Sequence, residues 1–233
     1  VPILVETSKE NNYKYTVADL EKVTTNRTKA IIINSPNNPT GTIYNEEELL
    51  EIANFAKDND LLIISDEIYE KLIYDGEKHI SIASLNEDTY ERTIVINGLS
   101  KTYAMTGWRV GFAVGEPEII SGMAKIISQT TSNLTSVSQY AAIEALTGDQ
   151  SSIEEMRKAF EERLNTIYPL LAEVPGFEVI KPQGAFYLFP NVKKAMEIKG
   201  YTDVNDFTNA ILEEAEVALV TGAGFGAPEN IRL

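Results

Sequence analysis

Short apolar runs typical of strands alternate with amphipathic helical patterns along the first two-thirds of the chain. Ala30–Asn34 is suited to a strand buried on both faces, and Leu61–Ile64 and Thr93–Asn97 are the next two predicted strands. Between the first two, Asn45 is placed to cap a helix whose apolar residues recur at helical spacing. Strands that alternate with helices predict an α/β fold, with a mostly parallel sheet wrapped by helices.

The remaining pattern predicts two units. A further strand is predicted at Trp108–Val114, with helices at Pro117–Ile127, Val137–Leu146 and Ser152–Leu171. Beyond Leu171 the pattern changes to short strands with one helix, at Phe177–Ile180, Ala185–Phe189, Val204–Glu214 (the helix) and Val217–Val220. We therefore expect a large α/β domain over residues 1–155 and part of a smaller α+β domain over residues 156–233. The helix at Ser152–Leu171 would connect them.

Composition excludes several kinds of site. The chain has no cysteine, which rules out disulfides, thiolate catalysis and cysteine-ligated metals. Its single histidine, His79, rules out a multi-histidine metal site, so we expect no metal and an exposed loop position for His79. The net charge of −15 disfavours non-specific nucleic-acid binding. No apolar run approaches the ~20 residues that a membrane-spanning helix needs.

Both ends of the chain have the residue pattern of strands that are cut short. Val1–Val5 has the composition of a strand interior and is not preceded by an initiator methionine, and Ile231–Leu233 is another strand-like run. We therefore expect the chain to be a fragment of a longer protein.

Three successive predicted strands each end in a polar cluster. These clusters are Asn34–Gly41, Ser65–Tyr69 and Asn97–Lys101. Any one of them alone is typical of a turn or a helix cap. However, the carboxyl ends of parallel strands meet at one edge of the sheet, where ligands bind in α/β folds. Together, the three clusters predict a crevice lined by an amide, a carboxylate, a phenol and an amine.

The motifs in these clusters resemble those of a known family. Ser100, Lys101, Ala104, Met105, Gly107, Arg109, Val110 and Gly111 form a pattern that resembles the lysine signature of class I, fold-type I aminotransferases, which bind pyridoxal 5′-phosphate. Asn38–Gly41 and Asp66–Tyr69 resemble the two other cofactor-side motifs, and Gly184–Tyr187 and Ile231–Leu233 resemble marks of the small domain. Thr131–Asn133 with Ser138 and Gln139 is most similar to the bacterial aspartate aminotransferase branch. The resemblance covers essentially the whole chain and implies a pyridoxal-phosphate-dependent transferase-like large domain.

The resemblance implies catalytic roles for Lys101, Asp66 and Tyr69. Lys101 would form an imine with the cofactor aldehyde and, once displaced by the substrate, would move the proton from the substrate α-carbon. Asp66 would pair with the protonated pyridine nitrogen, which keeps the ring an electron sink. Asn38 and Tyr69 would hydrogen-bond the phenolate oxygen of the cofactor.

The resemblance also implies sites for the phosphate and the substrate. Arg109 would bind the cofactor phosphate, with the Ser100 hydroxyl as a helper. Arg232, together with Asn38, would bind the substrate α-carboxylate, because a planar guanidinium matches a carboxylate bidentately. Gly98 departs from the pattern, since many relatives carry serine there, and one phosphate hydroxyl is then missing. A small-residue phosphate loop, an aromatic stacked on the ring and a tyrosine reaching the partner subunit would precede Val1.

Three aromatic residues near these motifs, Trp108, Phe186 and Tyr187, are predicted to be core and lobe-packing residues rather than part of the site.

Three functions are compatible with these residues. The first is a cytoplasmic, homodimeric transaminase that acts on amino-acid and 2-oxo-acid substrates, expected to be aspartate and 2-oxoglutarate, in two half-reactions that alternate between the pyridoxal and pyridoxamine forms. The second is a carbon–sulfur or cyclopropane-forming lyase, which would use the same lysine and aspartate. The third is the aminotransferase-like sensor domain of a transcription regulator, which would need a winged-helix segment ahead of Val1. For the transaminase we expect no nucleic-acid or membrane partner, and we expect residues 1–233 alone to be inactive.

Overall fold

In the computed structural model, which describes residues 1–233, a four-stranded sheet forms the centre of the larger unit. Its strands are β1 (Ala30–Asn34), β2 (Leu62–Asp66), β3 (Thr93–Gly98) and β4 (Gly111–Val114). The strands lie in chain order, with β1, β2 and β3 mutually parallel and β4 antiparallel to β3. The predicted α/β fold with a mostly parallel sheet is confirmed.

Nine helices surround or follow this sheet. They are α1 (Val17–Val23), α2 (Glu46–Asp58), α3 (Glu87–Arg92), α4 (Leu99–Thr102), α5 (Pro117–Thr130), α6 (Ser136–Thr147), α7 (Ser151–Ala172), α8 (Lys193–Lys199) and α9 (Val204–Ala215). The helices predicted from periodicity correspond to α2, α5, α6, α7 and α9. Helices α1, α3, α4 and α8 were not predicted, because helices of four to seven residues are too short to show a periodic apolar pattern. None of the helices is both long and apolar enough to cross a membrane.

Helix α2 shows how local sequence builds the core of the larger unit. The Asn45 side chain accepts a hydrogen bond from the Glu48 backbone N–H at 2.9 Å, and Glu48 accepts one from the Asn45 N–H at 2.8 Å. This reciprocal cap satisfies two donors at the helix start. The predicted apolar residues Leu49, Ile52 and Ala56 are buried, and they join a cluster with the isoleucines of β1 and β2. One face of the sheet is thereby fixed against α2.

Other apolar surfaces of the larger unit are not covered within this chain. Ile32, on the opposite face of β1, is 64% exposed. Helix α6 exposes Val137, Tyr140, Ile143 and Leu146. We call these four residues the α6 apolar surface. Exposed apolar patches of this kind mark interaction surfaces.

The smaller unit has its own core. Val192, Ala195 and Met196 near α8 pack with Val204 and Phe207 of α9 and with Ile231. Ile231 lies in β6 (Ile231–Arg232), which pairs antiparallel with β5 (Val220–Thr221), so the strand predicted at the end of the chain is confirmed. Leu164 of α7 packs against Tyr74 of the larger unit and against Leu188, as expected of a connecting helix. The domain boundary at residue 155 stays a prediction.

Several predicted strands are shorter than expected or absent. Trp108–Val114 forms a strand only from Gly111 onward, since Thr106–Trp108 is a turn of 3₁₀-helix. Phe177–Ile180 and Ala185–Phe189 form no strand, Val217–Val220 contributes only its last residue to β5, and Val1–Val5 is irregular. These predictions were wrong because a strand needs a partner backbone in register, which the local apolar pattern does not report.

Candidate active site

The three polar clusters lie at one edge of the sheet, as predicted. Asn34 at the end of β1 is paired in register with Asp66 at the end of β2, and Asp66 is paired with Ile96 of β3. The loop after β1 is tied to this edge by the Ser35 backbone N–H, which donates to the Asp66 carbonyl at 3.1 Å. The carboxyl ends of neighbouring parallel strands therefore form one side of the site.

The loop that carries Asn38 is clamped by a loop of the smaller unit. The Gly41 carbonyl accepts hydrogen bonds from the backbone N–H groups of Gln183 and Gly184, both at 2.8 Å. Gly41 has a φ of +69°, and a Cβ at this position would lie 2.3 Å from the Cβ of Pro182. Glycine is therefore required at position 41, because both its conformation and the close approach of Pro182 exclude a side chain.

Lys101 lies in the single turn of α4, directly after β3. The Leu99 backbone N–H donates to the Val110 carbonyl at 3.1 Å, which brings the segment before β4 against this turn. A Cβ at Gly98 would lie 2.7 Å from the same carbonyl oxygen. Gly98 therefore does more than omit a phosphate hydroxyl: a serine would not fit here without a backbone shift.

Two aromatic rings flank the Lys101 amine. Its Nζ lies 5.8 Å from the ring centre of Tyr69 and 5.4 Å from that of Phe186, which are cation–π distances. The Phe186 ring is stacked on Phe160 of α7 at 5.2 Å between centroids, which fixes its orientation. Phe186 is a packing residue, as predicted, and its ring also lies beside the Lys101 amine.

A chain of contacts runs from Tyr69 to Asn38. The hydroxyls of Tyr69 and Tyr187 are 2.8 Å apart. The guanidinium carbon of Arg232 lies 4.5 Å from the Tyr187 ring centre and 5.0 Å from that of Phe225. Arg232 Nη1 donates to Asn38 Oδ1 at 2.8 Å. Tyr187 packs against the cluster of Tyr69, Leu72 and Ala185, as predicted, and its hydroxyl also joins this chain of contacts. Sequence reasoning missed Phe225, which no motif marked.

Asp66 is a half-buried carboxylate. Its Oδ1 accepts a hydrogen bond from the Ile68 backbone N–H at 3.2 Å. Burial raises the pKa of Asp66 above its ordinary value, and the neighbouring charge of Glu67 adds to the rise. A carboxylate in such surroundings is stabilised by a positively charged group placed beside it.

Glu67, the residue after Asp66, is a buried carboxylate with three side-chain hydrogen-bond partners. Glu67 Oε1 accepts hydrogen bonds from the hydroxyls of Ser65 at 2.9 Å and Ser81 at 2.7 Å, and Oε2 lies 2.9 Å from His79 Nε2. Burial favours a higher pKa for Glu67, but these hydrogen bonds outweigh it and hold the pKa below its ordinary value. The side chain of His79 is only 12% exposed, so the prediction of an exposed loop histidine was wrong.

Arg109 lies on an exposed loop at the same edge of the sheet. It has a φ of +55°, and its Nη1 donates to the Thr106 carbonyl at 3.0 Å. The loop is fastened to α6 by the Ser138 hydroxyl, which donates to the Trp108 carbonyl at 3.0 Å. Trp108 is 43% exposed rather than part of the core, so that prediction was wrong. Ser100 is half-buried in α4, beside Lys101.

Known proteins of one enzyme family are similar to this chain. The family "Aminotransferase class I and II" matches residues 1–233. The chain is 65% identical over 233 residues to an asparagine–oxo-acid transaminase of Streptococcus mutans and 53% identical over 232 residues to an aspartate aminotransferase of Bacillus subtilis, in each case over 100% of this chain and 59% of the relative. The chain therefore spans about three-fifths of the length of the curated relatives it matches.

Solved structures of aminotransferases are also similar to this chain. An aromatic aminotransferase from Pyrococcus horikoshii superposes with a TM-score of 0.93 at 39% identity, over 100% of this chain and 61% of that one. An aspartate aminotransferase from Thermotoga maritima superposes with a TM-score of 0.88 at 40% identity, over 98% of this chain and 57% of that one.

Proposed function

The chain belongs to the class I and II aminotransferases, and on that basis we propose that the complete gene product moves an amino group between an amino acid and a 2-oxo acid. The observation that carries the proposal is a series of contacts at one edge of the sheet. The Lys101 amine lies near the Tyr69 ring, the Tyr69 hydroxyl contacts that of Tyr187, and the Tyr187 ring contacts Arg232. Asp66 ends β2 at the same edge. This arrangement combines an amine nucleophile with a carboxylate-binding cation.

We propose pyridoxal 5′-phosphate as the cofactor. When bound, it supplies an aldehyde that takes up the amino group and a protonated pyridine ring that draws electrons from the substrate α-carbon. The donor set suits this molecule, since Lys101 offers an amine, Asp66 a carboxylate for the ring nitrogen and Arg109 a guanidinium for the phosphate. The Ser100 hydroxyl, next to Lys101 in α4, would assist Arg109.

Lys101 would act through its Nζ, first as the nucleophile that holds the cofactor and then as the base that moves a proton from the substrate α-carbon. The rings of Tyr69 and Phe186 exclude water from part of the surroundings of Nζ.

Tyr69 and Asn38 would donate hydrogen bonds to the cofactor's ring oxygen. Because Asn38 Oδ1 accepts from Arg232, the Asn38 Nδ2 group is left to donate. Tyr69 can donate its single proton only if its oxygen accepts from Tyr187. Both side chains would thereby favour the anionic form of that oxygen.

Arg232 would bind the substrate α-carboxylate. Its guanidinium is held by Asn38 Oδ1 and lies against the rings of Tyr187 and Phe225. An arginine fixed in this way retains further N–H donors, which can form two parallel hydrogen bonds to a carboxylate. Since Arg232 comes from the unit that we propose to span residues 156–233, and Lys101 from residues 1–155, the substrate would bind between the two.

Aspartate and 2-oxoglutarate are the proposed substrates, and the name of the Streptococcus mutans relative adds asparagine as a candidate amino donor. We also propose that the complete protein is a cytoplasmic homodimer. The α6 apolar surface supports self-association, because exposed apolar patches mark interaction surfaces.

The proposal is tested by assaying the complete gene product, loaded with pyridoxal phosphate, with aspartate or asparagine and 2-oxoglutarate. We expect glutamate and the matching oxo acid in equal amounts. A carbon–sulfur lyase would instead leave these substrates unreacted, and would split an amino acid that carries a carbon–sulfur bond at its β-carbon into a thiol, an oxo acid and ammonia, without forming glutamate. Residues 1–233 assayed in parallel are expected to be inactive, because catalysis needs the whole set of binding groups preorganised.

Replacing Asp66 by alanine is expected to lower turnover of the complete gene product by about 10²-fold or more while cofactor attachment at Lys101 persists. The carboxylate stabilises the protonated ring nitrogen but takes no part in the bond to Lys101. The measurement pairs turnover with the visible absorbance of the loaded protein, and Asp60→Ala, outside the site, serves as the control. Near-normal turnover would show that Asp66 serves only to stabilise its turn.

A further inference from the structure

Tyr187 contacts both Tyr69 and Arg232, which belong to two different sequence motifs. Its hydroxyl is 2.8 Å from that of Tyr69, and its ring faces the Arg232 guanidinium at 4.5 Å. Tyr69 is 3% exposed, and its ring meets the Tyr187 ring edge-on at 5.7 Å. A single side chain therefore contacts the proposed donor to the cofactor oxygen on one side and the proposed carboxylate-binding arginine on the other.

Cofactor binding would decide which of the two phenols donates the hydrogen bond between them and which accepts it. Each phenol has one proton to donate. If Tyr69 donates its proton to the cofactor, its oxygen can only accept from Tyr187, so Tyr187 becomes the donor. Linked donors polarise one another, and the Tyr187 hydroxyl would strengthen the hydrogen bond that Tyr69 makes.

The charge of Arg232 acts on the same pair. Burial raises the pKa of Tyr69 well above its ordinary value, and the positive charge of Arg232 opposes that rise. A substrate carboxylate bound to Arg232 would neutralise this charge. Tyr69 would then become a weaker donor at the moment the substrate arrives.

We propose that Tyr187 is a positioning residue that couples carboxylate binding at Arg232 to hydrogen-bond donation by Tyr69. The inference rests on the proposed function and deepens it, since it assigns to one side chain the communication between the substrate and cofactor sides of the same site. Tyr187 performs this role with two parts of its side chain: the ring orients Arg232, and the hydroxyl supports Tyr69.

Two variants separate these parts. Tyr187→Phe removes the hydroxyl and keeps the ring, and Tyr187→Leu removes both. The probe is succinate, a dicarboxylate with no amino or oxo group to react, added to the complete gene product loaded with pyridoxal phosphate. The visible absorbance is titrated against pH with and without succinate, and the succinate dissociation constant is measured for each variant.

In Tyr187→Phe we expect the titration midpoint to rise by about 0.5–1 pH unit, because a weaker Tyr69 donor leaves the cofactor oxygen more basic and favours the protonated form. The shift caused by succinate should fall about twofold, while succinate affinity changes little. In Tyr187→Leu, succinate should bind about tenfold more weakly, because the guanidinium loses an aromatic face.

Tyr44→Phe is the matched control, since it removes a tyrosine hydroxyl in the α2 core that accepts from the Tyr15 backbone N–H at 3.1 Å. It should leave both titrations unchanged. A Tyr187→Phe protein with the wild-type midpoint and the wild-type succinate shift would overturn the coupling while leaving the proposed function intact. A wild-type protein that takes up no pyridoxal phosphate would overturn both.

Discussion

Replacing Lys101 by alanine is expected to reduce amino-group transfer by the complete gene product by about 10⁴-fold or more. The substitution removes both the proposed nucleophile that would hold the cofactor and the proposed base that would move the substrate proton. Turnover with aspartate and 2-oxoglutarate measures the loss. Lys71→Ala and Lys125→Ala, which remove exposed lysines, should retain wild-type turnover.

A chemical experiment tests the same assignment without relying on the rate. Borohydride reduction of the loaded wild-type protein, followed by peptide mapping, should fix the cofactor on Lys101. A label on Lys71 or Lys125 would show that the site has been assigned to the wrong lysine.

Replacing His79 by alanine is expected to destabilise the protein by about 1–3 kcal/mol, because it leaves Oε2 of the buried Glu67 carboxylate without its hydrogen-bond partner. Glu67 is buried and therefore cannot be hydrated in place of the lost partner. The hydroxyls of Ser65 and Ser81 donate hydrogen bonds only to Oε1. Denaturant or thermal unfolding of the complete gene product measures the change. Lys78→Ala, one residue away and exposed, should change stability by less than about 0.5 kcal/mol.

A second substitution separates charge from packing at this position. Glu67→Gln removes the charge, so the double variant with His79→Ala should lose less stability than the sum of the two single losses. Strict additivity would contradict an interacting pair. Since the pKa of Glu67 is lowered by folding, the stability contributed by its charged form is complete above the ordinary glutamate value of 4.5. The contribution should be lost as the pH falls below that value, and the effect of His79→Ala should shrink with it.

The local sequence was sufficient to predict many of the helices and strands of the larger unit. Asn45 and the apolar residues of α2 predicted that helix, because capping and helical periodicity involve residues within one or two turns of each other. Asn34 and Asp66 were predicted to share an edge, because parallel strands joined by a helix must end on the same side of a sheet. The family motifs supplied the candidate roles of Lys101 and Arg232.

The tertiary structure decided the contacts between residues far apart in the chain. Tyr187 meets Tyr69 across 118 positions, and Arg232 meets Asn38 across 194. His79 pairs with Glu67 through the course of a loop that carries no periodic signal. Sequence patterns report only nearest neighbours along an element, whereas these contacts depend on how β2, β3 and the smaller unit pack. The chain by itself therefore determined which chemical groups are available, and the packing determined which of them touch.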